Sequence, residues 1–223
     1  MQTYIGIVIA VVVVAVMIYG AYATSRRRQE LRAWACANGL SYDSSRMAAM
    51  DIRFAGFPCL KRGHSRYAYN VMEGHVGGMP IVAFDYHYAT GSGKNRHDFN
   101  FSAVVAQSPL PLKPLFIRRE GFFDKVTEFF GADDIDFESA EFSRKFFVKS
   151  NDKRWAYDVI HPRMMEYLLA APPMSLQFDV MHIIAWTGRR FVVPEFQAAI
   201  DHLQRVLELM PDYLVRQQIS GTP

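Results

Sequence analysis

A run of twenty residues without a charge, Tyr4 to Ala23, constrains this chain more than any other stretch. At about 1.5 Å of rise per residue, a helix of that length matches the roughly 30 Å hydrocarbon thickness of a bilayer. Eleven of the twenty are Ile, Val or Met, and each aliphatic residue in a span contributes about −0.3 to −0.6 kcal/mol to insertion. With no charge to oppose that gain, residues 4–23 are expected to form a transmembrane helix. Arg26, Arg27, Arg28 and Arg32 follow directly, whereas Met1 to Thr3 carry no basic residue. The positive-inside rule then places the amino terminus outside and the main domain in the cytoplasm, as a single-pass protein of the inner (cytoplasmic) membrane. The four arginines are the expected membrane-surface contacts. Ala21-Tyr22-Ala23 has the small residues of a signal-peptide cleavage site, which would send the body outward. The missing basic residues before the run and the arginines after it oppose cleavage.

About 200 residues remain, enough for one large domain or two small ones. Aromatic residues make up 14% of the chain and charged residues only 21%, a composition that folds. Cys36 and Cys59 match no metal or redox spacing and read as reduced thiols. Charge is uneven. Residues 24–119 hold 14 Lys and Arg against 6 Asp and Glu (+8), and residues 120–223 hold 11 against 16 (−5). The change near residue 120 marks a candidate division into two subdomains, and the basic half suits an anionic lipid surface. The basic residues are not interleaved with aromatics in a nucleic-acid-binding pattern, so no nucleic-acid partner is expected.

Along the chain, Leu31, Trp34, Ala35 and Asn38 recur at helical spacing and Gly39 stands ready to end the helix, so residues 24–39 read as a helical stalk. The domain proper is expected over residues 40–223. Between Leu40 and Gly63 only a short helix near Arg46 to Met50 is expected. Tyr67 to Glu73 and Met79 to Tyr88 alternate as strands around Gly74, Gly77 and Gly78, a hairpin, with Val82, Phe84, Tyr86 and Tyr88 on one face and Ala83, Asp85 and His87 on the other, solvated one. A second hairpin joins them through Thr90 to His97 to the strand Phe99 to Ala106. Further strands are expected at Leu115 to Arg118, Phe142 to Lys149, Ser175 to Asp179, His182 to Trp186 and Phe191 to Val193. Helices are expected at Phe122 to Phe130, after an Asn151 or Asp152 cap with a restart at Pro162, and from Pro194 along the stripe Phe196, Ala199, Ile200, Leu203, Val206, Leu207 and Met210. The sum is an α+β domain, an antiparallel sheet with helices on one face and a long carboxyl-terminal amphipathic helix. A barrel like that of pleckstrin-homology domains would suit the same order of elements.

Chemistry-bearing clusters are few. The loop Gly91 to Arg96 exposes backbone amides beside Lys94 and Arg96, the expected anion or headgroup contacts, but Tyr88 and Asn95 stand where a P-loop needs Gly and Ser or Thr. His64, His75, His87 and His97 fit no zinc spacing, and the acidic run Asp133, Asp134, Asp136 and Glu138 lacks the glycine and terminal glutamate of a calcium loop. No metal, cofactor or catalytic residue is therefore expected. The one hydrolytic alternative pairs Asp85 with His87 as acid and base.

An amino-terminal span followed by NVMEGHVGG (70–78), FDYHYATGSGKNR (84–96) and DIDFESAEFSRKFFV (134–148) resembles an uncharacterised bacterial family of membrane-anchored proteins. The resemblance implies a shared fold and topology and carries no activity. The expected function is a membrane-anchored protein-interaction module, not an enzyme: an accessory or scaffolding subunit partnered by another membrane protein or membrane complex. The alternative is an anionic lipid-binding domain.

Overall fold

Gly77 and Gly78 both take positive φ (58° and 82°), which a two-residue hairpin turn with the right-handed strand twist requires. They join β2 (His64–Val76) to β3 (Met79–Thr90), and β4 (His97–Gln107) pairs with β3 from Ile81 opposite Ala106 to Thr90 opposite His97. This computed structural model describes residues 2–120, 135–211, 213 and 214, the side chains at 2–4, 6, 8 and 10 excepted. The hairpins are the centre of an eight-stranded antiparallel sheet ordered β1 (Ser41–Asp43), β2, β3, β4, β8 (His182–Trp186), β7 (Ser175–Phe178), β5 (Leu115–Arg119), β6 (Phe146–Ser150). Strands from before and after residue 120 share this one sheet. It is open, with β1 and β6 at its edges, rather than a closed barrel.

Helices gather on one face, as the α+β reading expected. Against Met72, Ile81, Ala83, Val104 and Ile183 lie α1 (Gln2–Ala37), α4 (Lys153–Val159), α5 (Pro162–Ala170) and α6 (Val193–Glu208). The opposite face is buried as well. Val82, Phe84, Tyr86 and Tyr88 pack under a cover formed by Phe54, Phe57, Cys59 and Leu60 with α2 (Met50–Arg53). The Tyr86 hydroxyl donates to the Leu60 carbonyl at 2.6 Å, tying that cover down, and burial pushes the phenol's pKa up. The alternation along β3 is the expected one, but neither face is solvated: Asp85 is 0% and His87 8% exposed.

The first helix is continuous from Gln2 to Ala37, and Gly39 at φ 70° closes it. Leu31 and Ala35, in the segment read as a stalk, are fully buried, and the Trp34 ring lies 6.0 Å from that of Phe196 on α6. Among the described residues no helix is long and apolar enough to cross a membrane, so they do not support the span expected over 4–23. In the described part of that run the large apolar side chains from Ile5 to Tyr22 are 49–72% exposed.

Two other expectations change. Where a strand was expected from Phe142, α3 (Ala140–Lys145) comes first; Ser139 accepts from Phe142 N at 3.2 Å as its cap and Lys145 pairs with Glu141 at 2.6 Å. Phe191 and Val192 form a connection rather than a strand, because side chains take the Phe191 backbone groups, and Val193 already opens α6. The helix expected over Phe122 to Phe130 lies outside the described residues, as do Asp133 and Asp134. The remaining helices follow their signals: the Asp152 carboxylate accepts from Trp155 N at 3.0 Å to cap α4, and Pro162 opens α5.

His202 departs from the apolar stripe of α6. It is 2% exposed, with Nδ1 2.7 Å from the Tyr167 hydroxyl on α5. Burial, and then the charge of Arg119, lower its pKa to about 4. Between the unfolded value of about 6.5 and about 4, the unfolded chain takes up a proton that the folded chain refuses, so stability falls as pH drops through that window and levels off below it. The shift corresponds to roughly 3 kcal/mol. Urea midpoints measured at pH 7 and pH 4.5 should differ in that direction, and His202→Gln should flatten the slope.

Candidate functional site: the sheet beneath the first helix

Arg27, Leu31 and Ala35 are four residues apart and share one face of α1. The lower two are apolar and sink into the core. The third brings a guanidinium to the same depth. Its Nη2 donates to both oxygens of Asp85 at 2.8 and 2.9 Å, and its Nη1 donates to the Phe191 carbonyl at 2.5 Å. Asp85 is the middle of β3 and receives two further bonds, from Asn70 Nδ2 at 2.9 Å and from Ser102 Oγ at 2.5 Å. Phe191 N in turn donates to Ser102 Oγ at 2.8 Å. A closed set of hydrogen bonds thus joins α1, β2, β3, β4 and the connection into α6.

Local backbone geometry builds this set. Between the pairs Tyr69–Asp85 and Met72–Ala83, β2 spends three residues against two on β3, a bulge. Asn70 sits in it at φ 51°, a left-handed conformation that Asn tolerates better than most residues. The bulge re-aims its side chain, so that Nδ2 reaches Asp85 while Oδ1 accepts from the Tyr42 hydroxyl at 2.8 Å. Burial raises the Tyr42 pKa against the lowering effect of the Arg28 charge.

One register step further along the strands, Tyr67, His87 and Asn100 form the next row on the same face. The Tyr67 ring stacks on His87 at 4.5 Å and carries the Arg46 guanidinium at 4.7 Å. His87 places Nδ1 3.0 Å from the Ser65 carbonyl and Nε2 2.9 Å from Asp98. Both partners are acceptors, so only the doubly protonated ring donates to both. Arg96 also pairs with Asp98, at 2.7 Å, and these hydrogen bonds, that of Arg96 foremost, lower the Asp98 pKa to about 2. A cleft of about 560 Å³ opens here, with Arg46, Arg66, Tyr67, His87, Arg96 and the Asp98 carboxylate in its lining.

The expected site residues therefore separate. Of the four membrane-surface arginines, Arg26 pairs with the exposed Glu30 at 2.9 Å, Arg28 and Arg32 are exposed, and Arg27 is withdrawn into the protein. Lys94 is exposed at the tip between β3 and β4, and Arg96 lies beside it in the cleft. Asp85 and His87 share a face but do not pair with each other; each is bound to other partners. His64 turns to the Gly91 carbonyl at 2.8 Å, and among the described residues no three His, Cys, Asp or Glu stand where they could hold a metal ion. The sequence reading missed Asn70, Ser102 and Arg46. The four-residue spacing back from Ala35 and Leu31 was a signal for Arg27; bulge geometry, which brings in Asn70, has no such signature.

No family model matches the chain, and no curated protein matches it. In fold, it is similar to the crystal structure of the mycobacterial trehalose monomycolate transport factor A, TtfA, with a TM-score of 0.59 at 12% identity over 82% of this chain and 96% of that one. At that identity the likeness is one of fold.

Removing one partner of a buried pair leaves the other charge uncompensated, at a cost of about 3–5 kcal/mol. Asp85→Ala and Arg27→Ala should each destabilise the full chain by that amount in urea titrations followed by tryptophan fluorescence. Arg28→Ala, an exposed change, should stay within about 0.5 kcal/mol.

Proposed function

We propose that this chain is a membrane-anchored, non-catalytic adaptor whose α+β domain docks on another component of a membrane assembly. The observation that carries the reading is the continuity of α1. One end presents exposed large apolar side chains from Ile5 to Tyr22, and the other is built into the core through Arg27, Leu31 and Ala35. A helix with apolar side chains exposed on all sides needs an apolar surrounding, and residues 4–23 as a single span supply the length for a bilayer. The arginines after it favour the domain in the cytoplasm and the amino terminus outside.

Because the anchor and the domain share one helix, the domain is held at a set orientation to the membrane rather than swung on a linker. That suits a part that must present a surface in register with a neighbouring membrane protein. The likeness in fold to a transport factor is compatible with an accessory role and does not select one. The two polar groups expected as an acid–base pair in the hydrolytic alternative, Asp85 and His87, are engaged elsewhere, which is what the non-catalytic reading rests on.

The test is to extract the tagged full chain from its own membranes in mild detergent and weigh what co-purifies. The expected result is retention in membranes through an alkaline carbonate wash and a stoichiometric membrane-protein partner. Release by carbonate would remove the anchor, and a chain that stays in the membrane but purifies alone as a monomer would remove the adaptor role.

A further inference from the structure

The course of α1 over the sheet determines which end of the domain meets a bilayer. Leu40, just past the end of α1, lies against Gly74, which pairs with Ile81 at the start of β3. Leu31 and Ala35 pack in the core with Met72 and Ala83. Arg27 reaches Asp85. Moving toward the amino terminus of the helix is therefore moving along β3 from Ile81 toward Thr90 and the tip of the β3–β4 hairpin.

The distances decide whether the tip arrives. From Asp85 to Gly91 is six residues of extended chain, about 20 Å at roughly 3.3 Å each. From Arg27 back to Ala23, the last residue of the apolar run, is four helical residues, about 6 Å at 1.5 Å each. The strand's projection along the helix exceeds that length for any crossing angle below about 70°, so the tip extends past the helix's polar turn. Among the described residues, the hairpin tip thus reaches toward a surface that holds the apolar end of α1.

The chemistry of that end is basic and aromatic. Arg46, Arg66 and Arg96 line the cleft and Lys94 stands at the tip, four positive side chains against Asp51, which pairs with Arg66, and Asp98, which pairs with Arg96. Residues 91–100 are exposed throughout, and Phe99 stacks on Tyr88 at 4.9 Å while remaining 43% exposed. The cleft behind the tip holds the Arg46 guanidinium over the Tyr67 ring, 4.7 Å from its centroid. Aromatic rings beside cations at one level are the composition of a headgroup-layer contact, where each basic residue near an anionic surface contributes about 1 kcal/mol.

We propose that the β3–β4 tip and the Arg46–Arg96 cleft form a docking surface for the anionic phospholipid headgroups of the same membrane that holds α1. The proposal rests on the anchor reading and adds a second, electrostatic point of attachment. Two attachments, one on the helix and one about 20 Å along the sheet, restrict tilt about the first and leave the remainder of the domain facing away from the membrane.

The experiment reconstitutes the full chain in nanodiscs of phosphatidylcholine alone or mixed with phosphatidylglycerol and follows amide hydrogen exchange. The expected result is several-fold slower exchange over residues 91–98 in the anionic discs only. It should be reversed by about 1 M salt, where the screening length is about 3 Å, and by Lys94→Ala with Arg46→Ala, while exchange in the middle of β3 reports that the fold is intact. Equal exchange in both disc types overturns the proposal and leaves the anchor standing. Equal slowing by inorganic phosphate in phosphatidylcholine discs overturns it in favour of a free-phosphate site. A chain that does not enter either disc removes the anchor and this surface with it.

Discussion

One ion pair organises the join between helix and sheet. Asp85 is fully buried in the middle strand, and a carboxylate there is tolerable only with its oxygens filled by donors. Arg27, Asn70 and Ser102 fill them, and each donor comes from a different element. The rotation of α1 about its axis and its position along β3 follow from that one acceptor. Leu31 and Ala35 add the apolar contact, but apolar contact alone is tolerant of sliding. The directional bonds to Asp85 are not.

The sheet can bear this because both of its faces are covered. Helices bury one, and the segment from Met50 to Leu60 buries the other, with Phe57 and Leu60 fully enclosed. That second cover contains little regular structure, yet it is held by directional contacts such as the bond from Tyr86 to Leu60. Toward the β3–β4 tip the cover thins, exposure rises, and the side chains change from aliphatic to aromatic and basic. The same strands thus serve as core at one end and as surface at the other.

The hairpins were legible because strand alternation and glycine-rich turns act locally: a turn with two positive φ angles favours Gly, Asn or Asp wherever it occurs. The cap of α4, the proline at the start of α6 and the proline restart at α5 were legible for the same reason. The expectation of a solvated face for Ala83, Asp85 and His87 failed because alternation tells which residues share a face and not what lies over it. A strand expected from Phe142 became α3 first because a local serine cap and an acid–base pair four residues apart outweighed the aromatic run. Within the candidate site, Arg96 and Lys94 could be named from the loop's composition, whereas Arg46 comes to the cleft only through its packing on Tyr67.

The sequence by itself determined the apolar first helix, the basic residues that follow it, the hairpins and the amphipathic last helix, since each depends on residues close in the chain. Tertiary structure alone decided which acceptor the inward arginine meets, that Asp85 and His87 part company, and that the tip beyond β3 lies on the side of the amino-terminal end of α1. Those outcomes depend on contacts between residues as far apart as Arg27 and Phe191, and on a bulge at Asn70 whose effect exists only when β1 and β3 lie beside it. No local pattern encodes such a meeting, because the energy that selects it is the cost of leaving one buried carboxylate without donors.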